Sequence, residues 1–438
     1  MPVLMNFKKV KFSLTTGELR LEYSFDGEYN FTEKFFFPDP PFPLDHHRKA
    51  ALDKVLHFLH IAAGISYYKA FLPYNVILED FELTKEEAHF FEQFYINGLG
   101  EFAVRNQANF FKMVKFPYRE GLKRQASRIE FSPAALIPVG GGKDSCLTIE
   151  LLKKLGMDAA TIACGEPKPI KRVMELSGLP PIVIKRQIAP ELIKLNNEGK
   201  VLNGHIPITG ILAFVLWAAA ILYNRQYVVM SCERSANQEN LEYCGIKINH
   251  QYSKSFDFER DFYALTQNFT PEFRYFSLLR PLSELHIAKL FTEKCKNYFD
   301  VFTSCNKAFK LDENKRLQHW CGDCDKCRFV FLALALFMDK QKLIEIVGNN
   351  PLDDENQIRG YKELLGLSGH KPFECVGTYE ECNYALATLS CREEWQDDKV
   401  ILALKDKITS TAKGNLFKPQ KEHLIPKEFS DVLAEFRK

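Results

Sequence analysis

The chain has 438 residues, enough for two or three domains with cores of their own. Hydrophobic residues make up 46% and charged residues 26%, the ordinary balance of a globular protein, which argues against a disordered or fibrous chain. With 58 Lys and Arg against 56 Asp and Glu, the net charge of +2 gives no sign of a nucleic-acid-binding chain.

Residues 1 to about 40 read as β-structure: Phe7, Val10, Phe12 and Leu14 partly alternate with polar residues, and Leu19, Leu21, Tyr23 and Phe25 alternate cleanly. Met1 to Lys11 carries scattered lysines without an apolar core or a small-residue cleavage site, so no signal peptide is expected. Asp26-Gly27 marks a turn, and the prolines from Pro38 to Pro43 end the section. Asp45 is placed to cap a helix with Leu52, Val55, Leu56 and Leu59 on its core face. His57 and His60 stand three apart on that helix. With no third ligand nearby, packed or solvent-facing histidines are expected rather than a metal site. A second helix is predicted over Lys85–Tyr95, and Gly98 to Asn106 reads as an ordinary turn.

From about residue 130 the pattern changes. Ala134–Val139 is a short uncharged run, suited to a buried strand. It is followed by Gly140-Gly141-Gly142-Lys143-Asp144-Ser145 and a helix carrying Leu147, Leu151, Leu152 and Leu155 on one face, with Gly156 to end it. Strand candidates Ala159–Cys164, Pro181–Ile184 and Tyr227–Ser231 alternate with helices, which predicts a parallel sheet covered on both faces. In such sheets ligands bind beyond the carboxyl ends of the strands. Gly140–Ser145, Cys164–Glu166 and Cys232–Asn237 are therefore expected along one edge. Ile206–Tyr223 is free of charge for 18 residues, but Pro207, Thr209 and Gly210 interrupt it, and a buried helix over Ile211–Tyr223 is favoured over a membrane span. Ser283 is an N-cap candidate, and from about 345 the chain turns polar and helical with a lysine-rich, solvated end.

The strand, glycine turn and helix together present free backbone N–H groups to an anion, and the helix dipole favours negative charge at the same point. The spacing is not that of a Walker A loop. It resembles the Ser-Gly-Gly-x-Asp-Ser loop of the PP-loop ATP pyrophosphatases, which cleave ATP to AMP and pyrophosphate while adenylating a substrate oxygen. Gly140 stands where that family has serine, so backbone N–H groups or Ser145 would have to replace one hydroxyl donor. The resemblance implies an ATP site from Gly140, Gly141, Gly142, Lys143, Asp144, Ser145, Cys164 and Gly165, with Asp144 and Lys143 in the catalytic set and Asp144 orienting Mg²⁺, directly or through water.

Twelve cysteines without a secretory signal point to a reducing, cytoplasmic setting with some of them binding metal. Cys321, Cys324 and Cys327 have metal-ligand spacing, and converging thiolates need a cation to balance them. Cys305 is the first choice for the fourth ligand of a structural zinc site and His319 its rival; an iron–sulfur cluster also suits this set. The arrangement is similar to the zinc site of the 7-cyano-7-deazaguanine synthases, with a longer gap between Cys305 and Cys321.

Three further stretches carry a narrower resemblance: Ser235-Ala236-Asn237 with Asn249-His250-Gln251-Tyr252-Ser253-Lys254-Ser255, His319-Trp320-Cys321-Gly322, and Lys371-Pro372-Phe373-Glu374-Cys375-Val376-Gly377. With Gly100-Glu101-Phe102 and Arg105-Asn106 they are similar to the ATP-dependent UDP-N-acetylmuramoyl-L-alanyl-L-glutamate epimerases of the MurL type, along nearly the whole chain. The resemblance implies inversion of a terminal L-Glu to D-Glu at the expense of ATP, on a small-molecule UDP-muramyl dipeptide, with no nucleic-acid or membrane partner. His250, Tyr252, Lys254 and Cys375, and also His205 and Glu233, are open as the proton-transferring groups. Arg105, Arg234, Ser235, Asn237, Ser253, Lys254 and Ser255 are expected to bind substrate. The organisation expected is an N-terminal α+β domain over 1–130, a PP-loop ATP-binding α/β domain with the cysteine site over 131–345, and a helical segment over 346–438. A PP-loop enzyme modifying a nucleobase or tRNA, and a non-catalytic nucleotide-binding module, are the alternatives.

Overall fold

The computed structural model describes every residue except Met1, Pro41, Leu311, Asp312, 409–414 and Lys438. Pro41 of the proline cluster, and Lys413 and Lys438 of the lysine-rich end, therefore lie outside the described residues. The chain forms a mixed α/β structure in which nine strands share one sheet, and it divides into two compact units that each draw on separate stretches of sequence.

The first unit comprises Met1–Leu136, Ile182–Val228 and Glu242–Tyr275. Strands β1 (Leu4–Phe12), β2 (Glu18–Phe25) and β3 (Tyr29–Phe36) form an antiparallel meander, and β4 (Asn75–Leu78) adds parallel to β1. The clean alternation in β2 buries Leu19, Leu21, Tyr23 and Phe25 on one side, as the pattern predicted. Helix α1 (His46–Phe71) starts where Asp45 accepts the N–H of Arg48 at 2.8 Å. It packs on β1 at Gly64, where a Cβ would fall 2.3 Å from the ring of Phe7. His57 stacks on Phe81 and His60 bonds the carbonyl of Glu22 at 2.9 Å, so both histidines are packed.

Helix α2 (Lys85–Gly98) is closed by a Thr84/Glu87 capping box. The stretch read as an ordinary turn is instead a short helix, α3 (Gly100–Arg105), because Glu101 and Phe102 are buried and tie it down. Strand β5 (Ser132–Pro138), helix α4 (Lys143–Leu155), strand β6 (Ala159–Cys164) and helix α5 (Lys168–Ser177) follow, then β7 (Pro181–Gln187), α6 (Pro190–Asn197), α7 (Ile208–Leu222) and β8 (Arg225–Met230). Among the strands expected to form a parallel sheet, β5 and β8 do run parallel; β3 of the N-terminal meander joins β7 antiparallel, so the sheet as a whole is mixed. The apolar run around Phe214 and Trp217 is α7, buried as expected against α1 and the aromatic residues of α2 and α8 (Phe256–Gln267). Trp217 donates its indole N–H to Thr270 Oγ1 at 2.9 Å. Among the described residues, no helix is long and apolar enough to cross a membrane. A hairpin of β9 (Leu241–Tyr243) and β10 (Ile246–Ile248), and strand β11 (Arg274–Ser277), complete the strands.

The second unit comprises Ile137–Pro181, Val229–Leu241 and Phe276–Lys438. Here the end of β5 runs beside β6, Val139 N donating to Ile162 O at 2.9 Å. Helix α4 buries Leu147, Leu151 and Leu152 and ends at Gly156, whose φ of +71° is the left-handed stop the sequence suggested. It packs on α5 and on α9 (Glu284–Lys294), which Ser283 caps by accepting His286 N at 3.0 Å. Helices α10 (Asp325–Ala335), α11 (Lys340–Val347), α12 (Ile358–Leu364) and α13 (Tyr379–Ser390) build the rest of its helical core.

Candidate functional site

In the second unit the glycine turn is held as an open cradle at the N-terminus of α4. Gly141 has φ +79°, and a Cβ there would meet Ile170 N at 3.3 Å; Gly142 would meet Ser304 Oγ at 2.8 Å. Both positions need glycine, one for its backbone and one for space. Gly140 does not: it has no left-handed φ, and none of the described residues comes within 4 Å of its would-be Cβ. The glycine that departs from the PP-loop pattern is the one the local structure leaves free. The turn is braced by Thr303 N donating to Gly141 O at 2.9 Å, while the Ser145 hydroxyl donates to Gly142 O at 3.1 Å. That leaves the backbone N–H groups of the turn as its main anion donors. Gly165, with φ +85°, turns the chain after half-buried Cys164 at the end of β6.

At the first turn of α4 the buried Lys143 ammonium contacts both Asp144 and Glu284. Burial works to discharge this lysine, but the two carboxylates more than offset it and hold it firmly protonated. Burial pushes Glu284 up, with Asp144 and Glu233 adding to the effect, while the Lys143 ammonium pulls it back down. Donor atoms of Asp144, Glu233 and Glu284 all lie within 4.8 Å of one another. Two of the stretches expected along one edge, Gly140–Ser145 and Cys232–Asn237, thus meet through Asp144 and Glu233. Glu284 gave no motif-level signal; only the Ser283 N-cap marked its helix.

Around this cluster, Ser235 Oγ donates to Glu381 Oε2 at 2.7 Å, and Glu381 also accepts from Leu285 N and closes the capping box of α13 with Thr378. Arg234 donates to the carbonyls of Asn415, Leu416 and Lys418, and Ser283 Oγ donates to Leu416 O at 2.7 Å. Gln420 N adds a bond to Pro281 O at 2.9 Å, so the segment after residue 414 is strapped to the loops that carry Arg234 and Ser283. Half-buried Cys375 accepts the Lys326 ammonium at its carbonyl. Asn240 holds the carbonyls of Lys371 and Pro372. The Lys371 Nζ is 1% exposed as a residue and has no hydrogen-bond partner among the described residues. Burial lowers its pKa, against the nearby Cys382, Glu381 and Glu233. Sequence reading overlooked it, although it begins the Lys371–Gly377 stretch.

The four cysteines converge as well. Their sulfurs lie within 4.8 Å, with Cys321–Cys327 at 3.6 Å and Cys324–Cys327 at 3.4 Å, while His319 is exposed and outside the group. Tetrahedral zinc with bonds of about 2.3 Å needs sulfurs about 3.8 Å apart, so the donor set fits. The Cys305 thiol is drawn down, chiefly by hydrogen bonds from Cys324 and Cys327.

In the first unit a different group forms. Gly98 and Gly100 let Pro207 and Ile248 approach closely, with would-be Cβ contacts of 2.5 and 3.0 Å. These approaches carry His205 and His250 onto Glu101 of α3. His250 Nδ1 is 2.5 Å and His205 Nδ1 3.4 Å from Glu101 Oε2, and Arg105 pairs with the other carboxylate oxygen. Burial opposes ionisation of Glu101, yet His250, His205 and Arg105 together leave its pKa lowered. His205 is lowered to about 4, by burial and then by His250. Tyr252 and Ser253 are buried; the Tyr252 ring packs on Phe258, and burial raises its phenol well above the usual range. Ser255 caps α8 through Phe258 N. Lys254 is near enough to His205 to contribute to its shift.

The second unit thus contains a glycine turn at a helix start beside an acidic trio and a buried lysine, in a mixed α/β protein. Family models narrow this further: the MurL N-terminal domain matches residues 3–278 and the MurL C-terminal domain residues 301–418. The chain belongs to the MurL family. It is 42% identical to the UDP-N-acetyl-alpha-D-muramoyl-L-alanyl-L-glutamate epimerase of a Micromonospora species, over 98% of this chain and 97% of that one. It is 40% identical to the proteins of the same name from Xanthomonas oryzae pv. oryzae, over 90% and 87% of the two chains, and Salinispora tropica, over 98% and 95%.

Proposed function

We propose that this chain is an ATP-dependent epimerase that inverts the terminal L-Glu of UDP-N-acetylmuramoyl-L-alanyl-L-glutamate to D-Glu. It does so through an acyl-adenylate, releasing AMP and pyrophosphate, in the cytoplasmic synthesis of peptidoglycan precursors. The observation that carries this reading is the similarity to relatives of that name along almost the full length of both chains. The glycine cradle supports the use of ATP, and the PP-loop class is the reading that joins the two.

The chemistry explains why ATP is needed. The α-proton of a carboxylate is very hard to remove, because a dianion would form. Adenylation neutralises the carboxylate and lets the carbonyl accept charge as an enolate. Backbone N–H groups of Gly140–Gly142 and the dipole of α4 would hold the phosphates, with Lys143 fixing the carboxylates around them. Asp144, Glu233 and Glu284 are the oxygen donors that would hold Mg²⁺, which when bound neutralises charge between the phosphates. Cys305, Cys321, Cys324 and Cys327 would hold zinc in a structural role at the start of α10. Of the groups open for proton transfer, His250, Lys254 and Cys375 remain the candidates, with His205 and Glu233. Tyr252 is the group least available as a base, since burial keeps its phenol protonated.

The test is incubation of the purified chain with ATP, Mg²⁺ and the L-Glu precursor, followed by chiral analysis of the released glutamate and assay of AMP and pyrophosphate. D-Glu formed with stoichiometric AMP supports the reading. Absence of D-Glu under conditions where ATP is consumed with another carbonyl substrate refutes it.

A further inference from the structure

We propose that Glu101, His205 and His250 form a binding site for a divalent transition-metal ion of the zinc class, separate from the cysteine set. The proposal stands apart from the ATP chemistry above and assigns His205 and His250 as ligands in place of the proton-transferring role left open for them.

The three donors come from stretches far apart in sequence: helix α3, the turn before α7, and the segment after β10. Their ligand atoms nevertheless lie within 4.8 Å of one another. Both imidazoles turn Nδ1 toward the same carboxylate oxygen, at 2.5 and 3.4 Å, and their rings sit 4.5 Å apart at 45°. Two imidazoles that share one carboxylate oxygen form an arrangement in which a cation can take the place of the proton between them. The surroundings match what metal ligands need. Arg105 holds the second oxygen of Glu101, which fixes the carboxylate plane as an outer-sphere partner does. The side chains are only 7%, 24% and 12% exposed for Glu101, His205 and His250, so an ion would be shielded but reachable.

The donor set narrows the ion. Two imidazole nitrogens disfavour Mg²⁺ and Ca²⁺, which want oxygen throughout, and the lack of a thiolate separates this site from the cysteine cluster. Two histidines and one carboxylate give three protein ligands and leave a fourth position for water or an anionic ligand.

The test uses the full chain, loaded with Zn²⁺ and in parallel with Co²⁺, and counts bound metal by elemental analysis. About two equivalents per chain are expected, one giving thiolate-to-cobalt absorption from the cysteines and one with only the weak bands of nitrogen and oxygen ligands. Glu101→Gln and His205→Gln should each lose the equivalent that lacks thiolate bands and keep the other. His205→Gln, at the most exposed of the three positions, decides the matter if Glu101→Gln does not fold. A wild-type chain that binds only the thiolate equivalent, or variants that bind as much metal as wild type, would overturn the proposal and leave a hydrogen-bonded cluster only.

Discussion

Lys143, in the first turn of the helix that follows the glycine cradle, pairs with Glu284, in the first turn of a helix 141 residues further on, and both side chains are 1% exposed. Each residue would be an expensive isolated charge at its position; together they fasten two helix starts. Removing the lysine leaves Glu284 buried and uncompensated, so Lys143→Met should cost about 3–5 kcal/mol in urea unfolding, whereas Glu284→Leu, which leaves Lys143 its contact with Asp144, should cost less. The double variant should cost clearly less than the sum. An additive cycle would show that the pair does not act as a unit.

Asp144 is 25% exposed at the side chain and shares the Lys143 ammonium. Asp144→Ala should therefore fold, as judged by circular dichroism, yet lower ATP-dependent turnover by about 10²–10³-fold, the size of effect seen when one preorganised charge partner is removed. Full activity in this variant would remove the argument from the cradle.

The glycines of the turn should not respond alike. Gly140→Ser meets open space and should change stability by no more than about 0.5 kcal/mol, without loss of turnover. Gly141→Ala forces a Cβ into a left-handed backbone and against Ile170, and should cost about 1–2 kcal/mol or more. Thermal unfolding of the two variants side by side checks the contrast.

His60 gives a pH prediction with a definite sign. Burial lowers its folded pKa to about 3 from 6.5, so the unfolded chain binds the proton first. Its contribution is fully present above pH 6.5 and is lost as pH falls toward 3, at up to about 1.4 kcal/mol per pH unit. Urea unfolding between pH 7 and 4.5 should show this slope, and His60→Gln should flatten it whatever its effect at pH 7.

Lys371 should behave unlike Lys143. Its buried Nζ lacks a hydrogen-bond partner among the described residues, so Lys371→Met should leave stability unchanged or raise it slightly. If the ammonium meets an anion of the bound ligands, the same variant should raise KM several-fold. A large loss of stability would mean that the lysine is needed by the fold itself.

Much of the fold was legible where local chemistry decides it. The strand alternation around Leu21, the Asp45 and Ser283 caps, the Gly156 stop and the buried run at Trp217 each follow from a residue's own preferences, and the structure agrees. The Gly98–Asn106 turn was misread because α3 is only six residues long and is stabilised by burial of Glu101, which no short window reveals. The antiparallel join of β3 to β7 was missed for a related reason: pairing across about 150 residues leaves no periodic mark. At the site, Asp144, the glycines and the cysteine spacing carried a signal. Glu284 and Lys371 did not, since a lone Glu after an N-cap and a lone Lys before a proline look like any surface residue until the contacts of the chain are known.

The strap formed by residues 415–420 bears on how the protein comes into being. Arg234 and Ser283 find their acceptors in carbonyls that are translated more than 130 residues after either of them. On the ribosome, the loops bearing these two residues can reach their acceptors only once residues 415–418 have emerged. The second unit can therefore be completed only after residues 415–420 have been made.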